Sequence, residues 1–145
     1  MKNITGDIWD YLGGGHIVIP TNLCVKRNGM AVMGKGLAWQ AANKFFDLPK
    51  VYGDHILSGN KCPMEYTHGV NSLFMLPTKE YWMDPSDIGL IENGLRYLSV
   101  QNLPQDIYLP MLGCGLGRLE EKQVLPLMMS YFGNRDDVVL VKPGR

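Results

Sequence analysis

The chain is expected to fold as one three-layer α/β domain, with helices on both faces of a central sheet. Uncharged runs such as His16-Ile17-Val18-Ile19, Ser72-Leu73-Phe74-Met75-Leu76 and Val138-Val139-Leu140-Val141 read as strands buried on both faces. Amphipathic stretches of helical period lie between such runs, so strands and helices alternate along most of the chain without repeats or low-complexity tracts. A length of 145 residues suits one domain, and residues 1–145 are taken as a single unit. Strand order does not follow from the pattern.

Residues 2–5 suffice only for an edge strand, and Gly6-Asp7 breaks the chain before Ile8-Trp9. Gly13-Gly14-Gly15 is a turn. The strand His16–Ile19 is expected to stop at Pro20-Thr21-Asn22, leaving small polar side chains past its C-terminal end, where open α/β sheets hold ligands. Asn28-Gly29, inside the polar segment Lys26-Arg27-Asn28-Gly29, predicts a tight turn or hairpin, and this segment is read either as a basic flap over a pocket or as a solvated loop. Leu37, Ala41 and Phe45 recur at i, i+4 and i+8 beside Ala38 and Ala42, which predicts a helix able to approach a sheet closely.

Pro49 opens a second helix through Ile56, ended near Gly59, and residues 60–70 are irregular or a hairpin. The strand Ser72–Leu76 is expected to end at Pro77-Thr78-Lys79, a second polar triplet past a strand end. A helix from Asp84 to Gln101 places Ile88, Ile91, Leu95 and Leu98 on one stripe despite Gly94. Val124, Leu125, Met128 and Phe132 mark a further helix, in which Pro126 either lies in the first turns or makes a kink. Val138–Val141 is the last strand, and Lys142 to Arg145 form a tail.

The 14 basic residues balance the 14 acidic ones, so no global field draws the protein to nucleic acid or to membrane. Cys24, Cys62 and Cys114 form no CxxC and no Cys/His cluster, which argues against a disulfide framework or a zinc site. Neither a metal nor a cofactor is expected, and a reducing, cytoplasmic setting is. The N-terminal residues lack an apolar signal core and no run is long enough to span a bilayer, so a soluble protein without a membrane partner is expected.

Two glycine-rich loops draw attention. From Ile107 the chain runs through Tyr108, Leu109 and Pro110 into Met111-Leu112-Gly113-Cys114-Gly115-Leu116-Gly117-Arg118-Leu119, between an expected strand and an expected helix. Gly113, Gly115 and Gly117 let successive backbone N–H groups turn toward one anion. Gly34-Lys35-Gly36 stands at the start of another helix, where free amides and the positive end of the dipole can meet a phosphate.

Taken together, Gly6-Asp7-Ile8, Ile17–Asn22, Val32–Ala38 and Leu109–Leu119 resemble, in order, the ligand-binding elements of the macrodomain family. Met-Gly-Lys-Gly-Leu-Ala and Pro-Thr-Lys-Glu-Tyr-Trp resemble the branch containing the DNA ADP-ribosyl glycohydrolase antitoxin DarG and the human terminal ADP-ribose glycohydrolase. The resemblance implies an α/β/α macrodomain with a mixed central sheet and ADP-ribose across the strand ends. It implies that Asp7 accepts a hydrogen bond from the adenine amine, with the Ile8 amide nearby, and that Asn22 reaches the distal ribose. Gly34, Lys35 and Gly36 would border that ribose and the diphosphate, which Gly113, Cys114, Gly115, Leu116, Gly117, Arg118 and Leu119 would wrap from the other side.

In the similar branch, a lysine in the position of Lys79 is the catalytic residue, acting at the anomeric carbon of the distal ribose. An amine is a nucleophile only while neutral, so this role requires burial or positive neighbours to lower its pKa. Gly117 departs from the human enzyme, which has an aspartate in the corresponding position. The resemblance therefore implies a lysine-dependent ADP-ribosyl glycohydrolase acting on an ADP-ribosylated DNA base or protein carboxylate, as a monomer. Two alternatives share the pocket: a non-catalytic module that binds or sequesters ADP-ribose, and, ranked lower, a phosphatase acting on ADP-ribose 1″-phosphate.

Overall fold

The computed structural model describes residues 1–144; Arg145, the last residue of the expected tail, lies outside the described residues. One sheet runs in the order β1 (Lys2–Thr5), β6 (Val138–Lys142), β5 (Ile107–Leu109), β2 (His16–Asn22), β4 (Asn71–Lys79), β3 (Met64–His68). Every neighbouring pair is parallel except the β3–β4 hairpin, so the sheet is mixed, as expected. The C-terminal ends of β1, β6, β5, β2 and β4 therefore open on the same edge of the sheet. There the polar triplets and glycine loops collect.

Alternation along β2 and β4 divides the core into two layers. Ile17, Ile19, Leu73 and Met75 point to one face, where α1 (Gly36–Lys44), α2 (Leu48–Leu57) and a short 3-10 helix (Ile8–Tyr11) supply Ala41, Leu48, Tyr52 and Ile8. Val18, Phe74 and Leu76 point to the other, covered by α3 (Ile88–Ser99) and α4 (Glu121–Phe132) through Ile91, Leu95, Leu98, Val124, Met128 and Phe132. Gly94 lets α3 lie on β4, because a Cβ there would meet the Leu76 side chain at 2.6 Å. This closeness outweighs the helix-propensity cost of glycine, about 1 kcal/mol.

Several expectations are corrected. Pro20-Thr21-Asn22 and Pro77-Thr78-Lys79 are the last residues of β2 and β4 and do not lie beyond them, because the two strands stay paired to the Asn22–Lys79 register, across an irregularity at Thr21/Asn22. The helix expected from Asp84 starts at Ile88, where the Asp87 carboxylate caps it by accepting from the Gly89 and Leu90 N–H groups. Ile88 is consequently exposed, and only Ile91, Leu95 and Leu98 of the stripe are fully buried. Pro126, by contrast, lies early in α4, in its second turn, which is one of the two placements expected.

The segment read as a flap is anchored instead. Its hairpin forms as expected, with Val25 bridged to Ala31, but the Ala31 N–H donates to the Pro49 carbonyl at 2.9 Å. A Cβ on Gly53 would overlap the Gly29 carbonyl oxygen. The hairpin is thus packed on α2 with no room to swing from its base.

Candidate functional site

The site is built from the strand ends upward. Asn22 and Lys79 are register partners at the ends of β2 and β4. A buried polar relay holds this corner: the Tyr52 hydroxyl lies 2.6 Å from Thr21 Oγ1 and donates to the Asn22 carbonyl at 3.2 Å, while Thr78 Oγ1 donates to the Thr21 carbonyl at 3.1 Å. Burial pushes the Tyr52 phenol well above its usual pKa, so it remains a neutral donor. The Asn22 side chain is itself engaged, Nδ2 donating to the Val32 carbonyl at 3.0 Å and Oδ1 accepting from the Cys24 N–H at 2.9 Å. One N–H and one lone pair of this amide are left for another partner.

Lys79 is half-buried, and its amine is held below the ordinary lysine value, first by burial and then by the positive charge of Arg118; Asp84 opposes this and Lys35 adds to it. The three neighbouring charges come from three separate loops, so Lys79, at the end of β4, lies within electrostatic reach of both glycine loops. A lowered pKa is what a lysine nucleophile requires.

At the first glycine loop, Lys35 caps α1 with an extended backbone and no side-chain hydrogen bond. Among the described residues, the Gly36, Leu37 and Ala38 N–H groups have no protein acceptor, so the positive end of α1 is open to an anion. The second loop differs from expectation. It does not open α4 directly, since the helix begins at Glu121 and its N-terminus carries Glu120 and Glu121, with Gln123 Oε1 accepting from the Glu120 N–H. That helix end is already supplied with negative charge, and the loop's own amides are what it can offer an anion.

Within that loop, Leu119 N–H donates to the Gly113 carbonyl and Arg118 N–H to the Gly115 carbonyl, while the Cys114, Gly115, Leu116 and Gly117 N–H groups have no acceptor among the described residues. Gly113 at φ 72° and Arg118 at φ 64° give the loop its reversal. Holding a non-glycine residue in the left-handed region costs energy, and the Arg118 guanidinium fixes it by donating to the Met83 carbonyl at 2.6 Å. Cys114 has its thiol pKa raised by burial and by Glu121, which favours the neutral thiol and a packing role.

Gly117 is buried, and a Cβ there would overlap Ser86 Oγ and stand 2.5 Å from the Gly113 carbonyl oxygen. The absence of an acid at this position is therefore built into the fold. Ser86 Oγ is itself buried without a hydrogen-bond partner among the described residues.

At the other end of the same sheet edge lies an open cleft of about 800 Å³. Asp7, Ile8 and Gly6 form one side; Val141, Pro143 and Pro110 border it where β6 and β5 end. Asp7 is exposed, and Oδ1 already accepts the Trp9 N–H at 3.0 Å, leaving its second oxygen free. Sequence reasoning missed the aromatic lining. Trp9 and Trp39 both border the cleft, Trp9 fixed by donating to Gln40 Oε1 at 2.6 Å and by Lys44 Nζ, 5.0 Å from its ring centre. Trp39 shared its stretch with the apolar face of α1, yet its offset from Leu37 and Ala41 turns it outward. Asn22, Lys79 and both glycine loops are not part of this lining. They form the adjoining half of the edge.

Among the described residues no group of three or more His, Cys, Asp or Glu side chains could hold a metal ion. Nor is any helix long and apolar enough to cross a membrane.

A mixed six-stranded sheet between helix layers, with glycine loops and polar strand ends gathered on one edge, is the macrodomain fold, and this chain has it. The solved structures it is similar to include DarG macrodomains. The macrodomain of Thermus aquaticus DarG superposes with a TM-score of 0.80 at 24% identity, covering 99% of this chain and 97% of that one. Thermosipho africanus DarTG in complex with ADP-ribose gives a TM-score of 0.79 at 25% identity, covering 99% of this chain and 42% of that one. A curated DNA ADP-ribosyl transferase-DNA ADP-ribosyl glycohydrolase fusion protein from Thermosipho africanus (strain H17ap60334) is 31% identical over 75% of this chain. This chain spans only 34% of the length of that fusion protein. No family model matches the chain.

Proposed function

We propose that this macrodomain is an ADP-ribosyl glycohydrolase that removes ADP-ribose from a DNA base or a protein carboxylate, with Lys79 as its nucleophile. The observation that carries this reading is the setting of Lys79: a strand-end amine, half-buried, with its pKa lowered by burial, Arg118 and Lys35. Adenine would lie in the cleft beside Asp7 and the Ile8 amide. The diphosphate would take the open amides at residues 36–38 and 114–117, and the distal ribose would reach Asn22 and Lys79. Amides and one helix dipole supply the field for a dianion in a chain of zero net charge. ADP-ribose binding is supported by the Thermosipho complex, and glycohydrolase chemistry by the name of the fusion protein. The chain would act as a monomer, and a reducing cytoplasm suits its three free thiols.

The test is to incubate the protein with ADP-ribosylated DNA and with ADP-ribosylated protein, following released ADP-ribose for wild type and Lys79→Ala. Release from at least one substrate is expected, with loss of turnover in the variant and retention of ADP-ribose binding. Unchanged turnover in Lys79→Ala removes the mechanism. A binding-only module is the second reading, favoured by the filled position at Gly117. It prevails if neither substrate is cleaved while calorimetry shows tight ADP-ribose binding.

A further inference from the structure

We propose that Asp84 is the acid–base residue of this site, supplying from another loop the carboxylate that Gly117 cannot carry. The proposal rests on the glycohydrolase reading above. Residues 81–87 are sewn to both sides of the reacting corner. Within the segment the Asp84 N–H closes a turn by donating to the Tyr81 carbonyl at 3.0 Å, and on the β4 side the Asp87 N–H donates to the Thr78 carbonyl at 2.7 Å, beside Lys79. From the other side, the Ser86 N–H donates to the Gly117 carbonyl at 2.8 Å and Arg118 Nη2 to the Met83 carbonyl at 2.6 Å. Asp84 thus sits on a turn tied between the end of β4 and the glycine loop. This is also the segment whose Ser86 blocks any side chain at position 117.

The neighbouring acids are all engaged. Glu80 pairs with Lys61 at 2.5 Å, Glu120 with Lys122 at 3.0 Å and Glu121 with Lys142 at 3.3 Å, while Asp87 caps α3. Asp84 is exposed, and among the described residues its carboxylate makes no hydrogen bond or ion pair. The charges felt at Lys79 are those of Arg118, Asp84 and Lys35, and Asp84 is the one acid among them.

The chemistry gives this carboxylate a defined task. The neutral Lys79 amine forms a bond to the distal anomeric carbon as the bond to the macromolecule breaks. The electron pair stays on the leaving atom, which takes a proton from the new ammonium. Asp84 then removes a proton from water as its oxygen bonds to that carbon, and passes the proton to the Lys79 nitrogen as the carbon–nitrogen bond breaks. Free ADP-ribose and neutral lysine result, with Asp84 ionised again.

Asp84→Asn is expected to lower turnover about 100-fold, within the usual range for lost acid–base catalysis. ADP-ribose affinity should stay within about threefold, because the amides that hold the diphosphate are untouched. A Lys79 adduct should accumulate in Asp84→Asn and appear by intact mass as the protein plus one ADP-ribosyl group, and Asp84→Glu should recover part of the rate. Side-chain nitrogen NMR of Lys79 should show a lower pKa in Asp84→Asn than in wild type. An active wild type beside an Asp84→Asn variant within about threefold of its rate overturns the role of Asp84 alone. An unchanged Lys79 titration also overturns it. A wild type inactive on both substrates overturns this proposal together with the glycohydrolase reading.

Discussion

Ser86 Oγ occupies the space into which a side chain at Gly117 would project, although 30 residues separate the two in the chain. The contact is locked by the Ser86 N–H donating to the Gly117 carbonyl at 2.8 Å. An acid cannot be restored at position 117 without moving the segment that carries Asp84.

Gly117→Ala is therefore expected to destabilise the protein by about 1–3 kcal/mol, the usual cost of overpacking a well-filled site. Adding Ser86→Gly should recover only part of this, since the Gly113 carbonyl oxygen, 2.5 Å from the added Cβ, remains in place. Thermal unfolding of the single and double variants measures both effects. Full recovery in the double variant would show that Ser86 alone sets the limit.

The Lys79 amine gives a pH dependence of definite sign. Its folded pKa lies below the ordinary value of 10.5, so the neutral form, the one the proposed nucleophile needs, grows as pH rises through the lowered value. The alkaline rise in kcat should have its midpoint below 10.5, and Lys35→Gln, which removes a positive neighbour, should move that midpoint upward. The stability consequence follows from linkage. Between the folded pKa and 10.5 the unfolded chain binds more protons at Lys79 than the folded one, so its contribution to stability rises with pH there. Below the folded pKa the full penalty of a half-buried ammonium persists, and Lys79→Met should raise the unfolding midpoint at neutral pH. Denaturant melts across the alkaline range test the slope.

The strands were legible because uncharged aliphatic runs such as Ile17–Ile19 and Leu73–Leu76 cannot face water on either side, and both are fully or almost fully buried. The ends of those strands were harder to read. Pro20 and Pro77 look like stops locally, yet pairing across the sheet carries β2 and β4 on to Asn22 and Lys79. The glycine loops announced themselves through composition, but capping chemistry at Glu120 and Gln123, read only in three dimensions, removes one helix end from the places open to an anion. The flap failed for the same reason: Gly29 and Gly53 are far apart in sequence, and nothing local signals that one backbone rests on the other. Strand order brings Asp7, Pro110 and Val141 together around one cleft, and no periodicity contains that information.

The tryptophans at that cleft lead to the last prediction. Trp9 is held in place by Gln40 and Lys44, whereas Trp39 is 53% exposed and free to lie on a ligand. Trp39→Ala should weaken ADP-ribose binding by about 1–3 kcal/mol if its ring stacks on the adenine. Asp7 needs a finer instrument, because its carboxylate also caps the 3-10 helix through the Trp9 N–H. Asp7→Ala removes both functions; Asp7→Ser keeps a capping oxygen and removes the charge-assisted acceptor. Both variants should lose about 1–3 kcal/mol of affinity by calorimetry if the free oxygen meets the adenine amine. Recovery in Asp7→Ser would assign the loss to the cap and place adenine elsewhere along the cleft.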